Sequence, residues 1–251
     1  MGVERINDVF KQLQKENKKA FVSYVMGGDG GYETFEENVR FLSENGAHLI
    51  EIGIPFSDPV ADGPTIQLAG IRALQARVTT KGILNVIRKI RLDISTPIIL
   101  MTYLNPVLSY GIQEFVEECE QIGVDGLIIP DLPFEEKGLV DQYIRTLALI
   151  PLVTLTSKER IEIILNEATG FLYAVTVKGT TGTRSTFPEE LETFLQELKE
   201  KSPVPVVAGF GISSSSQVKY ISSFCDGVIV GSAVVDLLYK KDYRTLKDLI
   251  N

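Results

Sequence analysis

The sequence has few of the residues that mark metal sites, disulfide frameworks and membrane spans. It contains one histidine and two cysteines in 251 residues, and their spacing fits neither a zinc site nor a disulfide framework. No apolar run approaches the ~20 residues that a membrane helix needs, and the N-terminus lacks the apolar core of a signal peptide. We therefore expect a cytoplasmic protein without a metal, in which Cys119 and Cys225 are small buried residues.

Positive charge is also scarce. The chain has 25 Lys and Arg against 33 Asp and Glu, a formal charge of −8, and its basic residues are scattered singly. This pattern argues against nucleic acid and anionic membranes as partners. Hydrophobic residues make up 44% and charged residues 23%, which is ordinary globular composition, and the length is that of one (β/α)₈ barrel of about 250 residues.

Short runs rich in β-branched residues alternate with amphipathic stretches along the whole chain. This alternation indicates repeated βα units around a parallel sheet, and eight units favour a closed barrel over an open doubly wound sheet. An additional amphipathic helix with Ile6, Val9, Phe10 and Leu13 on one face precedes the first strand and is predicted to cover the N-terminal end of the barrel. We predict an α/β fold, a single TIM-barrel domain over residues 1–251 with an extra N-terminal helix. The eight predicted strands are Ala20–Tyr24, His48–Ile52, Pro97–Met101, Gly126–Ile129, Pro151–Leu155, Phe171–Val175, Pro205–Ala208 and Gly227–Val230.

Two carboxylates lie where the active site of such a barrel is expected, at the C-terminal ends of the strands. Strand alternation places Glu51 on the face opposite Ile50 and Ile52, so it should point into the barrel mouth. Burying a carboxylate is costly unless it is paired or functional. Asp62 follows eleven residues later in a loop rich in Pro and Gly, which could fold it back over the mouth. A structural ion pair for Glu51 and a turn or cap role for Asp62 are the alternatives.

Segments that contain glycine follow the last two predicted strands. Gly209-Phe210-Gly211 follows the seventh strand, and Gly231-Ser232 follows the eighth and opens a helical pattern. Phosphate sites in these barrels use these two loops and a helix N-terminus, so the pair predicts a phosphate site. The small polar segment Thr176–Thr186 after the sixth strand has the composition of a lid over the mouth, or of an ordinary loop.

The motif around Asp62 resembles the tryptophan synthase alpha subunit family. The motif runs from Phe56 to Gln67, with Glu51 before it, and the resemblance covers nearly the whole chain, including Pro130–Pro133 and Val230–Ala233. It implies a TIM-barrel lyase that cleaves indole-3-glycerol phosphate to indole and glyceraldehyde 3-phosphate. It also implies an α2β2 heterotetramer with a beta subunit that receives the indole and carries pyridoxal phosphate, with no cofactor in this chain.

The resemblance also implies roles for individual residues. Glu51 resembles the acid/base carboxylate and Asp62 the carboxylate that holds the indole N–H, while Tyr173 and Thr181 resemble groups near the glycerol and the lid. The implied phosphate donors are Gly182, Gly211, Gly231 and Ser232. The implied indole pocket consists of Phe21, Ile66, Leu100, Leu127, Phe210 and Ile229, each of which could equally be core. The implied partner-facing positions, in proline-stiffened loops at the mouth, are Pro55, Asp58, Asn105 and Asp131.

Two other functions remain open at this point. Lys178 lies just past the sixth strand, where some barrel aldolases carry an imine-forming lysine, although its parity relative to Tyr173 points it away from the barrel. A regulatory barrel that binds ligand and activates a partner without catalysis is the third possibility, and the presence of both Glu51 and Asp62 argues against it. The sequence also departs from the family pattern after the first strand and in the lid, where Gly28-Asp29-Gly30 and Gly179-Thr180-Thr181-Gly182 occur.

Overall fold

One parallel sheet of nine strands forms the centre of the molecule. The computed structural model describes residues 2–157, 160–176, 189–209 and 211–251. The strands are β1 (Ala20–Met26), β2 (Leu49–Gly53), β3 (Ile98–Met101), β4 (Gly126–Ile128), β5 (Ala148–Leu149), β6 (Leu152–Thr154), β7 (Leu172–Val175), β8 (Val206–Gly209) and β9 (Gly227–Val230). Their spatial order is β5-β4-β3-β2-β1-β9-β8-β7-β6.

The two edge strands are parts of one extended segment, which closes the sheet into a barrel. Only Ile150 and Pro151 separate β5 from β6. The Ile150 N–H donates to the Leu127 carbonyl on one side (2.9 Å), and the Tyr173 N–H donates to the Pro151 carbonyl on the other (3.0 Å). Because proline has no N–H to donate, the segment is interrupted there. The predicted eight-stranded barrel is confirmed, with its fifth strand split in two and beginning three residues earlier than predicted.

Helices follow the strands and cover the outside of the barrel. Their apolar stripes pack inward: in α4, for example, Ile83, Leu84, Ile87 and Ile90 are fully buried, as a 3.6-residue period requires. The helices are α1 (Val3–Lys15), α2 (Tyr32–Glu44), α3 (Pro64–Gln75), α4 (Thr80–Ile90), α5 (Leu104–Tyr110), α6 (Ile112–Ile122), α7 (Gly138–Asp141), α8 (Ile161–Asn166), α9 (Glu189–Lys201), α10 (Ser215–Ser222), α11 (Ser232–Tyr239) and α12 (Tyr243–Ile250). Among the residues that the structure describes, no helix is long and apolar enough to cross a membrane.

Helix α1 covers the N-terminal end of the barrel, as predicted. Ile6, Phe10 and Leu13 are its buried residues, and the ring of Phe10 lies 6.0 Å from that of Phe171, just before β7. On the same helix the Arg5 guanidinium pairs with Asp125, just before β4, at 2.6 Å. This end of the barrel is therefore closed, and the C-terminal ends of the strands form the open mouth.

The strand register decides which side chains point into the barrel. Glu51 is paired with Tyr24 on β1 and with Ile99 on β3, and paired residues of parallel strands share a face. Glu51 and Tyr173 lie on β2 and β7, which are on opposite sides of the barrel when β5 and β6 are counted as one strand. The charge of Glu51 nevertheless acts on the Tyr173 hydroxyl. Both side chains therefore point into the interior.

The two cysteines are buried, as the sequence indicated, and the single histidine is hydrogen-bonded to the backbone of the neighbouring strand. Cys119 and Cys225 are free and buried. His48, at the entry to β2, accepts a hydrogen bond at Nδ1 from the Phe21 N–H at 3.1 Å. In the described part of the chain, no three His, Cys, Asp or Glu side chains are grouped in a way that could hold a metal ion.

Candidate active site

Glu51 is a buried carboxyl group in the barrel interior. Its side chain is 1% exposed, and Oε2 has no hydrogen-bond partner among the described residues. Burial raises the pKa of Glu51 from 4.5 to about 8, and the nearby charge of Asp62 adds to the shift. Glu51 is therefore largely protonated at neutral pH, unlike an exposed glutamate.

Asp62 is returned to the barrel mouth by the loop between β2 and α3. It is 7% exposed, and it is hydrogen-bonded to the Tyr103 hydroxyl. The same hydroxyl accepts the Ala61 N–H at 3.1 Å, and Gln67 Nε2 donates to the Asp62 carbonyl at 2.9 Å. Burial raises the pKa of Asp62, while the hydrogen bond from Tyr103 opposes that shift. The loop thus brings Asp62 close to Glu51.

Three tyrosines surround this carboxylate pair, and only Tyr173 is predicted from the sequence. Tyr24 and Tyr173 are buried, and burial together with the charges of Glu51 and Asp62 holds the pKa of both phenols well above the ordinary value. Tyr103, just after β3, has its pKa raised mainly by burial, with Asp62 contributing. Tyr24 was missed because its position beside Glu51 depends on the pairing of β1 with β2, in which the two residues are partners.

Two glycines make room for the tyrosine hydroxyls. A Cβ added to Gly53, at the end of β2, would collide with the hydroxyl of Tyr24. A Cβ added to Gly209, at the end of β8, would collide with the hydroxyl of Tyr173. The absence of a side chain at these two positions therefore allows both phenols to lie across the mouth.

The register corrects half of the predicted indole pocket. Phe21 is paired with Val228, and Leu100 is paired with both Ile52 and Leu127. Phe21, Leu100 and Leu127 are buried, but they alternate with the inward residues and therefore face the helices. Assigning them to the pocket was wrong because the choice was one residue out of phase along each strand.

On β1, β3 and β4, the inward residues beside the carboxylates are Tyr24, Met101 and Ile128. Met101 is paired with Gly53 and with Ile128, so it shares the face of Glu51. Ile229 is paired with Val22, which shares the face of Tyr24, so Ile229 also points inward. Ile66, in α3, is buried and lies beside Gly231, whose added Cβ would be 3.8 Å from Ile66 Cδ1. Phe210 lies outside the described residues.

The predicted phosphate donors follow neighbouring strands. Gly211 comes after β8 with φ 80°, a backbone conformation that favours glycine. Gly231 and Ser232 come after β9, where Ser232 opens α11, and β8 pairs with β9. The first N–H groups of a helix have no intrahelical acceptor. The two loops are thus placed to offer backbone donors at the mouth.

Most of the predicted lid cannot be described. Thr176 is 3% exposed, and both its N–H (3.0 Å) and its hydroxyl (2.9 Å) donate to the Gly209 carbonyl. Thr181, Gly182 and Lys178 lie outside the described residues, as does the rest of the segment up to Thr186.

The loops after β2, β3 and β4 lie side by side at the mouth. Asp58, Asn105 and Asp131 are exposed, whereas Pro55 is buried. Asp131 Oδ1 accepts the Leu104 N–H at 2.8 Å, which ties the loop after β4 to the start of α5. Three of the four predicted partner-facing residues are therefore accessible.

The closed parallel barrel has two buried carboxyl groups at the C-terminal ends of its strands, where (β/α)₈-barrel enzymes have their active sites. The fold and the site therefore define the class of (β/α)₈-barrel enzymes. A sequence model of the family described as Tryptophan synthase alpha chain matches residues 10–250. The chain therefore belongs to the tryptophan synthase alpha chain family. It is a carbon–carbon lyase that cleaves indole-3-glycerol phosphate to indole and glyceraldehyde 3-phosphate in tryptophan biosynthesis.

Individual relatives support the assignment to this family. The tryptophan synthase alpha chain of Bacillus cereus (strain ATCC 10987 / NRS 248) is 53% identical and is matched over 100% of this chain and 96% of the relative. That of Bacillus thuringiensis (strain Al Hakam) is 54% identical with the same coverage. The solved alpha chain of Legionella pneumophila subsp. pneumophila is 33% identical, with a TM-score of 0.87 and coverage of 100% of this chain and 95% of that one.

Structures of tryptophan synthase complexes are also similar to this chain, which implies a beta-subunit partner. The tryptophan synthase α2β2 complex of Pyrococcus furiosus contains a chain that is 33% identical, with a TM-score of 0.82 and coverage of 92% of this chain and 96% of that one. The alpha chain family is the cofactor-free partner of the beta subunit.

Proposed function

We propose that Glu51 is the acid/base of the lyase reaction and that Asp62 holds the indole N–H. The observation that carries this proposal is the pair of buried carboxyl groups at the mouth, with the pKa of Glu51 raised to about 8 and its Oε2 unpartnered among the described residues. A protonated, unpartnered carboxyl group is equipped to donate a proton.

The two carboxyl groups have different tasks in this mechanism. Protonated Glu51 donates its proton to C3 of the indole ring, and positive charge develops on the ring nitrogen. Ionised Asp62, supported by the Tyr103 hydroxyl, stabilises that charge through the N–H. The bond between C3 and the first glycerol carbon then breaks as the hydroxyl on that carbon loses its proton to the Glu51 carboxylate. The products are indole and an aldehyde, and Glu51 is protonated again.

The substrate extends from the interior to the loops after β8 and β9. In the proposal, the indole ring contacts Ile66, Phe210 and Ile229 together with the inward residues Tyr24, Met101 and Ile128. We propose that Tyr173 and Thr181 act near the glycerol, as the family resemblance implies. The proposed phosphate donors are Gly182, Gly211, Gly231 and Ser232. Three of these four are glycines, whose backbone can approach an anion closely.

We further infer that the chain acts as one domain over residues 1–251 in the cytoplasm and forms an α2β2 heterotetramer. The beta subunit would carry pyridoxal phosphate and receive the indole. Support comes from the α2β2 complex of Pyrococcus furiosus and from the exposed Asp58, Asn105 and Asp131 at the mouth. Pro55 is buried and would act by stiffening its loop.

The experiment that tests the catalytic assignment is indole formation from indole-3-glycerol phosphate by the purified chain. We expect Glu51→Gln to lose about 10²–10⁴-fold in turnover, the usual contribution of a positioned acid/base, because an amide cannot donate the proton. Asp62→Asn should lower kcat severely as well. The exposed Glu44→Gln is the matched control and should behave as wild type.

Two outcomes would contradict the assignment. Near-normal turnover by a folded Glu51→Gln protein would remove Glu51 from the chemistry, and an Asp62→Asn effect confined to KM would make Asp62 a positioning residue. Borohydride treatment in the presence of substrate distinguishes an imine mechanism from the carboxylate mechanism. Covalent labelling of Lys178 would favour the imine mechanism.

A further inference from the structure

A second cleft lies outside the barrel, between α2, α3 and α11. Its volume is about 350 Å³, at the lower end of the range for small-molecule sites. Its floor is apolar and contains Val25 from β1 together with Val235 and Leu238 from α11, all of them buried. None of the residues assigned to catalysis or phosphate binding lines this cleft.

One wall of the cleft is formed by Arg72, which stacks on Tyr239 and is paired with Asp29. The Arg72 guanidinium lies 4.1 Å from the centroid of the Tyr239 ring, and it forms two hydrogen bonds with Asp29, at 2.7 Å from Nε and 2.5 Å from Nη2. Since the carboxylate cancels the charge of the guanidinium, this wall presents a flat, neutral surface. The remaining charged side chain at the edge, Lys241, is exposed.

A buried acceptor without a partner lies in the same cleft. Asn38, in the middle of α2, is 6% exposed and lines the cleft. Its Oδ1 has no hydrogen-bond partner among the described residues. An unpaired buried acceptor costs free energy, whereas an apolar residue would suit the neighbouring floor. The amide therefore indicates a ligand that supplies a hydrogen-bond donor.

We propose that this cleft binds a small, neutral, planar molecule with one N–H donor, the chemical class to which indole belongs, with its N–H directed at Asn38 Oδ1. The apolar floor and the Arg72–Tyr239 stack would contact the ring faces. Indole is the natural probe because the chain produces it. The site is separate from Glu51 and Asp62, so the proposal fails or succeeds independently of the catalytic assignment.

The experiment is a titration of the full chain with methyl groups labelled for NMR. A saturating, non-cleavable analogue of the indole–glycerol phosphate substrate first occupies the barrel. Indole is then added, and in a parallel titration 1-methylindole, which lacks the N–H. We expect one further equivalent of indole to shift the methyl signals of Val25, Val235 and Leu238, with a Kd about tenfold lower than that of 1-methylindole, as one hydrogen bond predicts.

Variants separate the hydrogen bond from the shape of the cleft. Asn38→Leu keeps the volume and removes the acceptor, so it should bind indole and 1-methylindole equally. Asn85→Leu, an exposed position on α4, is the matched control and should keep the tenfold preference. Ala76→Phe, on the exposed rim, should weaken both ligands by filling the entrance. Thermal unfolding checks that each variant is folded.

Two results would overturn the proposal. The first is the absence of shifts at the three floor residues when indole is added to the blocked wild type. The second is equal binding of indole and 1-methylindole by wild type, which would mean that Asn38 is not the recognition group.

Discussion

At the scale of single residues, the raised pKa of Glu51 links the site to the stability of the fold. The unfolded chain ionises this carboxyl group near 4.5, and the folded chain ionises it near 8, so folding takes up a proton between these values. The stabilisation associated with protonated Glu51 is complete below pH 4.5 and is lost as the pH rises through 8. Ionised Glu51 therefore opposes folding at alkaline pH.

This linkage predicts that Glu51→Gln stabilises the protein relative to wild type as the pH rises. A pKa unit corresponds to about 1.4 kcal/mol, so the difference in unfolding free energy between the variant and wild type should grow by a few kcal/mol from pH 5 to pH 8. Denaturant unfolding at the two pH values measures it, with Glu44→Gln as the exposed control. Parallel pH profiles for wild type and Glu51→Gln would contradict the raised pKa.

At the scale of elements, the start of α11 offers a direct test of the phosphate site. Ser232→Asp adds a negative charge at a helix N-terminus, where the helix dipole tolerates it, but the charge would repel a phosphate bound there. We expect glycerol phosphate affinity to fall by at least about tenfold, or 1.4 kcal/mol, with little change in thermal stability. Isothermal titration calorimetry measures the affinity.

The control for this test is Thr79→Asp, which places an aspartate at the N-cap of α4, away from β8 and β9. Gly211→Asp is a poorer probe because φ is 80° at this position, so a side chain there strains the backbone. If Ser232→Asp binds glycerol phosphate as tightly as wild type, the phosphate lies elsewhere.

Another element-scale feature is the buried ion network that attaches α1 and α4 to the closed end of the barrel. Asp125 is fully buried and accepts hydrogen bonds from Arg5 (2.6 Å), Arg91 (2.9 Å) and the Ile98 N–H (2.9 Å). The Arg91 side chain is 11% exposed and that of Arg5 is 23% exposed. Removing the aspartate would leave Arg91 buried without its counter-charge.

We therefore predict that Asp125→Ala lowers the unfolding free energy by about 3–5 kcal/mol, the usual cost of breaking a buried ion pair by removing one partner. Arg5→Met should cost less, because Arg91 and the Ile98 N–H continue to satisfy Asp125. Urea denaturation measures both variants. A loss for Asp125→Ala no greater than that for Arg5→Met would show that the network contributes little to the stability of this end.

At the scale of the whole molecule, we expect the proposed beta subunit to couple to the lyase site through the loop that carries both Asp58 and Asp62. We predict that the isolated chain is slow and that the partner accelerates it. The coupling must be reciprocal. Glycerol phosphate should increase the affinity for the beta subunit by the same factor by which the beta subunit increases the affinity for glycerol phosphate, typically about 5–150-fold.

Titration of the beta subunit with and without glycerol phosphate measures this factor in wild type, Asp58→Ala and a control, Asp8→Ala. Asp8 is exposed on α1 at the opposite end of the barrel, so its variant should couple normally, whereas Asp58→Ala should reduce the factor. If the beta subunit neither binds nor changes the rate of indole formation, the chain is a self-sufficient lyase.

The sequence by itself determined the features that depend on local periodicity. Alternation along β2 placed Glu51 inward, the stripe containing Ile6 and Phe10 identified the covering helix, and the glycines after β8 and β9 marked the two loops at the mouth. These inferences succeed because the side-chain period of a strand or helix is fixed by backbone geometry. The family motif around Asp62 is also a local feature, because its residues are contiguous in the sequence.

Only the tertiary structure decided which distant residues meet. Phe21, Leu100 and Leu127 are as apolar as the inward residues beside them, and the pairing register between strands, not composition, turns them toward the helices. The Tyr103–Asp62 hydrogen bond depends on the path of a loop, and the orphan Oδ1 of Asn38 depends on how α2, α3 and α11 pack. Local periodicity decides which residues of a strand share a face, whereas the register between strands decides which face points inward and which residues meet across the barrel.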